Sequence, residues 1–317
     1  MSHLKRNSHT MSNLTSATTL QRALRVTSAA IVAMGLWAGS VLAKDPFRTE
    51  DPRPISANTQ AAFEAFFLKG DYKSATTYLQ QLDPNEPLSL SMKASLTYTN
   101  MLGERDKDKK AAMLEEFRGY ATQARTAADK LLNTDPLRGN LYLAVSHFFD
   151  GVYAFTKEGT VKGTAKVLGE LQNIIKYLNE AEAKSPNDPE LNLLRGYIDV
   201  YTGIYLPFSN PSKGLERLQK FAGPRYLADR GLAMGYLEMK EYDKAMTSVD
   251  AAIAAAPDNP ELWYLKSRIL AKQRKDQDSI PYLEKAIAKR DQLPISLVRE
   301  MERALRKTRE RLAQTPR

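Results

Sequence analysis

Cysteine is absent from all 317 residues. Its absence excludes thiol nucleophiles, disulfide staples, cysteine-held zinc and iron–sulfur clusters. Histidine is nearly as scarce: of three, His3 and His9 stand in the first ten residues, leaving His147. One imidazole without a thiolate does not build a zinc site, and no carboxylates are spaced as a calcium loop, so neither metal nor cofactor is expected. No glycine-rich phosphate loop occurs, Gly159 and Gly163 reading as helix punctuation, and there is no serine elbow. No catalytic residue is therefore assigned. Sustained period-two alternation is missing as well. From Thr59 onward Ala, Leu, Lys, Glu and Tyr dominate while Val and Ile are sparse, which reads as helix almost throughout.

One long apolar run is present, at the start. Lys5, Arg6, Arg22 and Arg25 form a basic lead without an acid, followed by an uncharged stretch from Val26 to Ala43 that ends in Val41-Leu42-Ala43. This order is that of a secretory signal with cleavage before Lys44, so residues 1–43 are expected to be a signal peptide and the protein exported, to a periplasm or an equivalent lumen. The alternative is an uncleaved anchor tethering a scaffold to the membrane. The run is short for a bilayer span and is interrupted by Thr27, Ser28, Gly35, Gly39 and Ser40.

The net charge of +9 is unevenly placed. Residues 265–317 carry 15 Lys/Arg against 7 Asp/Glu, whereas 44–264 are close to neutral. A nucleic-acid binder would spread basic residues and aromatics over a working face, and export also argues against that partner.

Residues 44–58, with three prolines, read as an extended lead-in. From Tyr226, two blocks of 34 residues run in register, 226–259 and 260–293. The first puts Ala233, Tyr236, Ala245, Val249, Ala252 and Pro257 at positions 8, 11, 20, 24, 27 and 32; the second puts Trp263, Ser267, Ser279, Leu283 and Ala286 at 4, 8, 20, 24 and 27. This spacing resembles the tetratricopeptide (TPR) family. Ala75, after the turn Lys69-Gly70-Asp71-Tyr72, fits the same scheme. A junction recurs between helix pairs at 82–88, 134–137, 185–191 and 256–262: an Asp or Asn cap (Asp135, Asp188, Asn259), then a proline at the first helical position (Pro136, Pro189, Pro260).

Turn signals divide the chain into pairs at about 59–69/71–83, 87–102/107–133, 137–157/164–184 and 189–205/212–222, followed by the two regular repeats. Val298, Met301, Leu305, Thr308 and Leu312 form one stripe of a last helix, 294–313, expected to cap the stack. The fold expected for 59–317 is an all-α, right-handed solenoid of about six hairpins and a cap. The signal, the lead-in and the tyrosine-rich fourth pair make the layout similar to exported TPR-containing proteins of cyanobacterial type, for which the lumen would be that of the thylakoid.

The resemblance implies binding of a protein or peptide in a concave groove lined by first helices. Asp150 and Asp199 are acids inside apolar helices and need partners; Arg195 lies one turn from Asp199. Tyr197, Tyr201 and Tyr205 recur every four residues and Tyr153 extends the patch. Asp150, Tyr153, Arg195, Asp199, Tyr201 and Tyr205 are the groove candidates for a peptide, a protein segment or a glycan, with internal packing and ion pairing as the alternative role. The carboxylate clamp of some TPR domains is not reproduced: the matching positions hold Leu227, Arg230, Gly231 and Met234, then Glu261, Tyr264, Leu265 and Arg268. A cell-envelope hydrolase or transferase using groove carboxylates is the enzymatic alternative. The basic last helix offers a weak surface for anionic lipid or an acidic partner.

Overall fold

The structure, a computed structural model, describes residues 45–206 and 210–314. The expected signal peptide and residues 207–209 of the loop after the fourth first-helix lie outside them. The described residues form twelve α-helices and no strand. No helix among them is long and apolar enough to cross a membrane.

The first hairpin is α1 (Ala57–Phe63), which continues as a π-helical turn, Glu64–Leu68, and α2 (Tyr72–Tyr78). Then come α3 (Pro87–Gly103) and α4 (Lys107–Leu131), and α5 (Pro136–Lys184), which doubles back on itself at Gly159. There φ is +76° and ψ is −171°, a conformation open to glycine. A Cβ on Gly163 would meet the Phe155 backbone at 2.7 Å, so the two arms of α5 are an antiparallel pair joined at a tip. The fourth pair is α6 (Pro189–Tyr205) with α7 (Ser212–Lys220), the fifth α8 (Arg225–Glu238) with α9 (Tyr242–Ala255), and the sixth α10 (Pro260–Lys272) with α11 (Asp276–Ala288). A 3-10 turn, Arg290–Gln292, leads to α12 (Ile295–Gln314).

The junction chemistry is visible at the helix starts. Asp135, Asp188 and Asn259 accept from the backbone N–H of Arg138, Leu191 and Glu261, and Pro136, Pro189 and Pro260 are the first residues of the helices so capped. Small residues let paired helices approach. Ala75, Ala245, Val249, Ala252, Ser279 and Ala286 are fully buried at the positions the repeat spacing assigns them.

The lead-in is extended, and it is built into the core. Asp45, Phe47 and Arg48 are buried. Residues 45–72 pass the starts of the first helices in turn. The backbone N–H of Ser56 donates to Glu86, before α3, at 3.2 Å. Arg53 pairs with Asp135, before α5, at 3.1 Å. Arg48 pairs with Asp188 at 2.7 Å and Glu190 at 2.8 Å, at the start of α6. The Phe47 carbonyl lies against Gly223, before α8. At the start of α10 the Asn259 amide donates to the Phe67 carbonyl and Glu261 accepts from the Tyr72 hydroxyl, each at 2.9 Å. Gln292, before α12, donates to the Lys69 carbonyl at 3.1 Å.

The stack therefore curls around its own N-terminal segment and closes. At the closing edge Arg299 of α12 donates to the Gly103 carbonyl of α3 at 3.1 Å. Edge-to-face pairs Phe47–Phe63 and Phe63–Phe67, with centroids 5.8 and 4.6 Å apart, make the segment apolar on its buried side. Each such phenylalanine is worth about 1.5–3 kcal/mol of burial. α12 lays Val298, Met301 and Thr308 into the last repeat, while Leu305 and Leu312 are half-buried. It is a cap on one side and the clasp of the ring on the other.

Candidate functional site

The six residues singled out in the sequence fall in three places. Asp150 and Tyr153 lie where α5 meets α4. The Asp150 carboxylate pairs with Arg125, whose guanidinium also reaches His147 Nδ1 at 3.3 Å. His147 in turn meets Glu170 at 2.7 Å and stacks on Tyr177. One ligand atom each of His147, Asp150 and Glu170 lies within 4.8 Å of the others, a grouping that the 23-residue separation of His147 and Glu170 hid. The Arg125 cation already stands among these groups and supplies the positive charge a metal would bring. Tyr153 points to the outer surface, donating to Glu115 at 2.8 Å, with Arg118 over its ring at 4.7 Å.

Arg195 and Asp199 belong to a second cluster. It joins α6 to the end of α5 and to α7, the second helices of their pairs. Arg195 meets Glu182 at 2.6 Å and Asp199 at 3.7 Å; Arg217 meets Glu182 at 2.5 Å and Asp199 at 3.2 Å, and also donates to Asn192 at 2.9 Å. The two carboxyls diverge because their bonds do. Burial raises Asp199 against its long contacts with Arg195 and Arg217. Burial opposes ionisation of Glu182 too, but the short Arg217 bond and both guanidinium charges hold it below the usual carboxylate range. Two cations and two anions pair with one another, so Asp199 serves as a helix tie.

Tyr201 and Tyr205 form the third place, on the side of α6 that faces α8. Their rings stack with centroids 6.1 Å apart at 11°. Tyr201 is buried, its hydroxyl without a hydrogen-bond partner among the described residues, and burial pushes that hydroxyl well above the ordinary tyrosine range. Tyr205 is half-buried and donates to Glu238 of α8 at 2.8 Å. From there a row continues over the first helices. Glu238 stands 3.9 Å from Arg268 of α10, Arg268 lies over the Tyr264 ring at 6.0 Å, and Tyr264 donates to Glu300 of α12 at 3.0 Å. Tyr205, Glu238 and Arg268 are half-exposed and Glu300 is exposed, while Tyr264 is buried beneath them, so the row is a polar strip open to solvent at its charged groups and at Tyr205.

Deeper toward the helix starts the inner face is occupied by the chain itself. Arg230 and Glu261, at groove positions 5 and 2 of the two regular repeats, pair at 2.8 Å, and Tyr72 donates to Glu261. Of the sequence candidates, Tyr201 and Tyr205 alone border the open strip. Glu238, Arg268 and Glu300 were not singled out as site residues, although Arg268 stands at repeat position 9, where a groove residue belongs.

Residues 260–288 match the family model of the tetratricopeptide repeat. The matched stretch is α10 and α11, and it carries Tyr264 and Arg268 of the strip. The hairpin α8–α9 repeats its spacing and its buried small residues. No curated protein matches the chain.

Proposed function

We propose that the chain is an exported, non-enzymatic scaffold that holds a segment of a partner protein along the strip from Tyr205 to Glu300. The observation that carries this reading is the position of Tyr264 and Arg268. They lie on the first helix of the repeat-matching hairpin, in line with Tyr205 and Glu238; Arg268 is half-exposed, and the buried Tyr264 reaches the exposed Glu300 through its hydroxyl. Helical repeats of this kind work by presenting such faces to other proteins. Tyrosine gives flat contact area with a polar tip, and the loose 3.9 Å Glu238–Arg268 contact leaves both charges available to a peptide. Asp150 and Asp199, the acids of the hydrolase alternative, are tied to arginines.

A photo-crosslinking residue in place of Arg268 is expected to trap a partner in intact cells, whereas one in place of Lys244, on α9, is not. Equal capture at both positions, or none at Arg268, would remove the strip as a docking face. Export rests on the basic lead and on the apolar run that ends in Val41-Leu42-Ala43. N-terminal sequencing of the native protein is expected to read from Lys44; a retained signal would favour the tethered scaffold.

A further inference from the structure

Where the ring closes, between the first hairpin, α3 and α12, lies a pocket of about 370 Å³. That is within the usual range for small-ligand sites, roughly 300–1,000 Å³. Its floor is aromatic and aliphatic: Phe66, Phe67, Tyr72 and Tyr98, with Leu102 and Leu297 at the sides. Phe66 and Tyr72 pack edge to face at 4.7 Å, so this floor is pre-formed.

The charged lining is unequal. Arg230, Lys110, Arg299 and Arg303 face Glu261 and Glu300. Glu261 is taken by Arg230 and Tyr72, and Glu300 by the Tyr264 hydroxyl. Arg299 has one N–H on the Gly103 carbonyl, and Lys110, Arg299 and Arg303 make no ion pair among the described residues. Arg299 and Arg303 are one turn apart on α12 and approach the rim side by side. An apolar floor beneath uncommitted cations is complementary to one kind of molecule.

We infer that this pocket binds a small amphiphilic organic anion, its apolar body on the Phe66–Tyr72–Tyr98 floor and its carboxylate, sulfonate or phosphate head between Lys110, Arg299 and Arg303. The pocket shares Glu300 with the end of the partner-binding strip, but its aromatic floor and its cations lie outside that strip. Guanidinium groups bind such heads through paired N–H donors, and the aromatic floor excludes water from the tail. Because the pocket touches both ends of the ring, its ligand would also stabilise the closed form by binding only that form.

The test uses the mature chain and the fluorescent sulfonate 1-anilinonaphthalene-8-sulfonate. Saturable binding to one site per chain is expected, weakened by added salt. Arg303→Gln, an exposed change that leaves the fold intact, is expected to weaken it about tenfold, as loss of one charge-assisted hydrogen bond does. Leu102→Trp, which fills the pocket, is expected to do the same without any charge change, and Lys307→Gln, elsewhere on α12, to have no effect. Decanoate and 3-phenylpropionate should both displace the probe, and their ranking distinguishes an aliphatic from an aromatic acid. Affinity unchanged by both Arg303→Gln and Leu102→Trp would overturn the site. Displacement by a glutamate-rich peptide but by neither small acid would overturn the ligand class in favour of a protein tail.

Discussion

Asn259 and Phe67 stand 192 residues apart and share a 2.9 Å hydrogen bond between the Asn259 side-chain amide and the Phe67 carbonyl. The same side chain accepts from the Glu261 backbone N–H, so one residue caps α10 and fastens the first hairpin to it. Asn259→Asp keeps the capping oxygen and loses the donor, setting a carboxylate against a carbonyl in a site 1% exposed. It is expected to cost about 2 kcal/mol or more. Urea unfolding measures it. If Asn259→Asp proves neutral, the fastening is not energetic.

Glu190 gives the protein a pH dependence of definite sign. It is fully buried with Asp45 and Asp188 near it and with Arg48 and Arg138 as its cations, three acids against two bases. Burial raises its carboxyl above the ordinary glutamate value, the two arginines pull it back, and Asp45 and Asp188 add to the rise. A raised carboxylate binds its proton more tightly when folded. Its contribution is therefore full below the ordinary value of 4.5 and is lost as pH climbs from there through the raised value. Each unit of rise is worth about 1.4 kcal/mol. The stability difference between wild type and Glu190→Gln should thus shift in favour of the variant between pH 4 and pH 7, other carboxylates being common to both. A difference that moves the opposite way would show the arginines winning.

Two glycines with positive φ should fail differently. At Gly70, φ is +62° and a Cβ would stand 2.7 Å from Asn259 Oδ1 and 2.9 Å from Pro260 Cδ. At Gly159 φ is +76° with nothing within 4 Å. Alanine at either is expected to cost about 1–3 kcal/mol of backbone strain. Only Gly70→Ala adds a clash across the closing edge. Hydrogen exchange should rise at the start of α10 and over residues 290–296 for Gly70→Ala, and only around the α5 tip for Gly159→Ala.

Glu182 and Asp199 share two arginines unequally, and their amide variants should rank accordingly. Glu182→Gln removes contacts of 2.5 and 2.6 Å, Asp199→Asn contacts of 3.2 and 3.7 Å. With both acids about a quarter exposed, the first is expected to cost about 1 kcal/mol and the second close to nothing. The reverse order in thermal unfolding would mean that Asp199, not Glu182, anchors the cluster.

The helical stack was legible in the sequence because its signals are local. Asp135-Pro136, Asp188-Pro189 and Asn259-Pro260 mark helix starts by capping chemistry, and Ala245, Ala252 and Ala286 mark close helix contacts by size. The site was less legible because pairing across the fold is not local. Asp199 was rightly joined to Arg195, one turn away, but its shorter contact is with Arg217, eighteen positions on. Tyr201 and Tyr205 read as one face, and they are one, but that face packs largely on α8. Nothing local told that Arg48 would meet Asp188 or that Tyr72 would reach Glu261, contacts that place the chain's own N-terminal segment where an open groove was expected.

That segment changes what kind of object the protein is. In an open array, removing a terminal unit trims the molecule and leaves the remainder standing. Here the earliest-made stretch waits for the last-made helices before Phe66, Phe67 and Tyr72 find cover. A nick that frees α10 to α12 would leave an aromatic spindle bare. Truncation from the carboxyl end should therefore unravel the molecule from its axis outward.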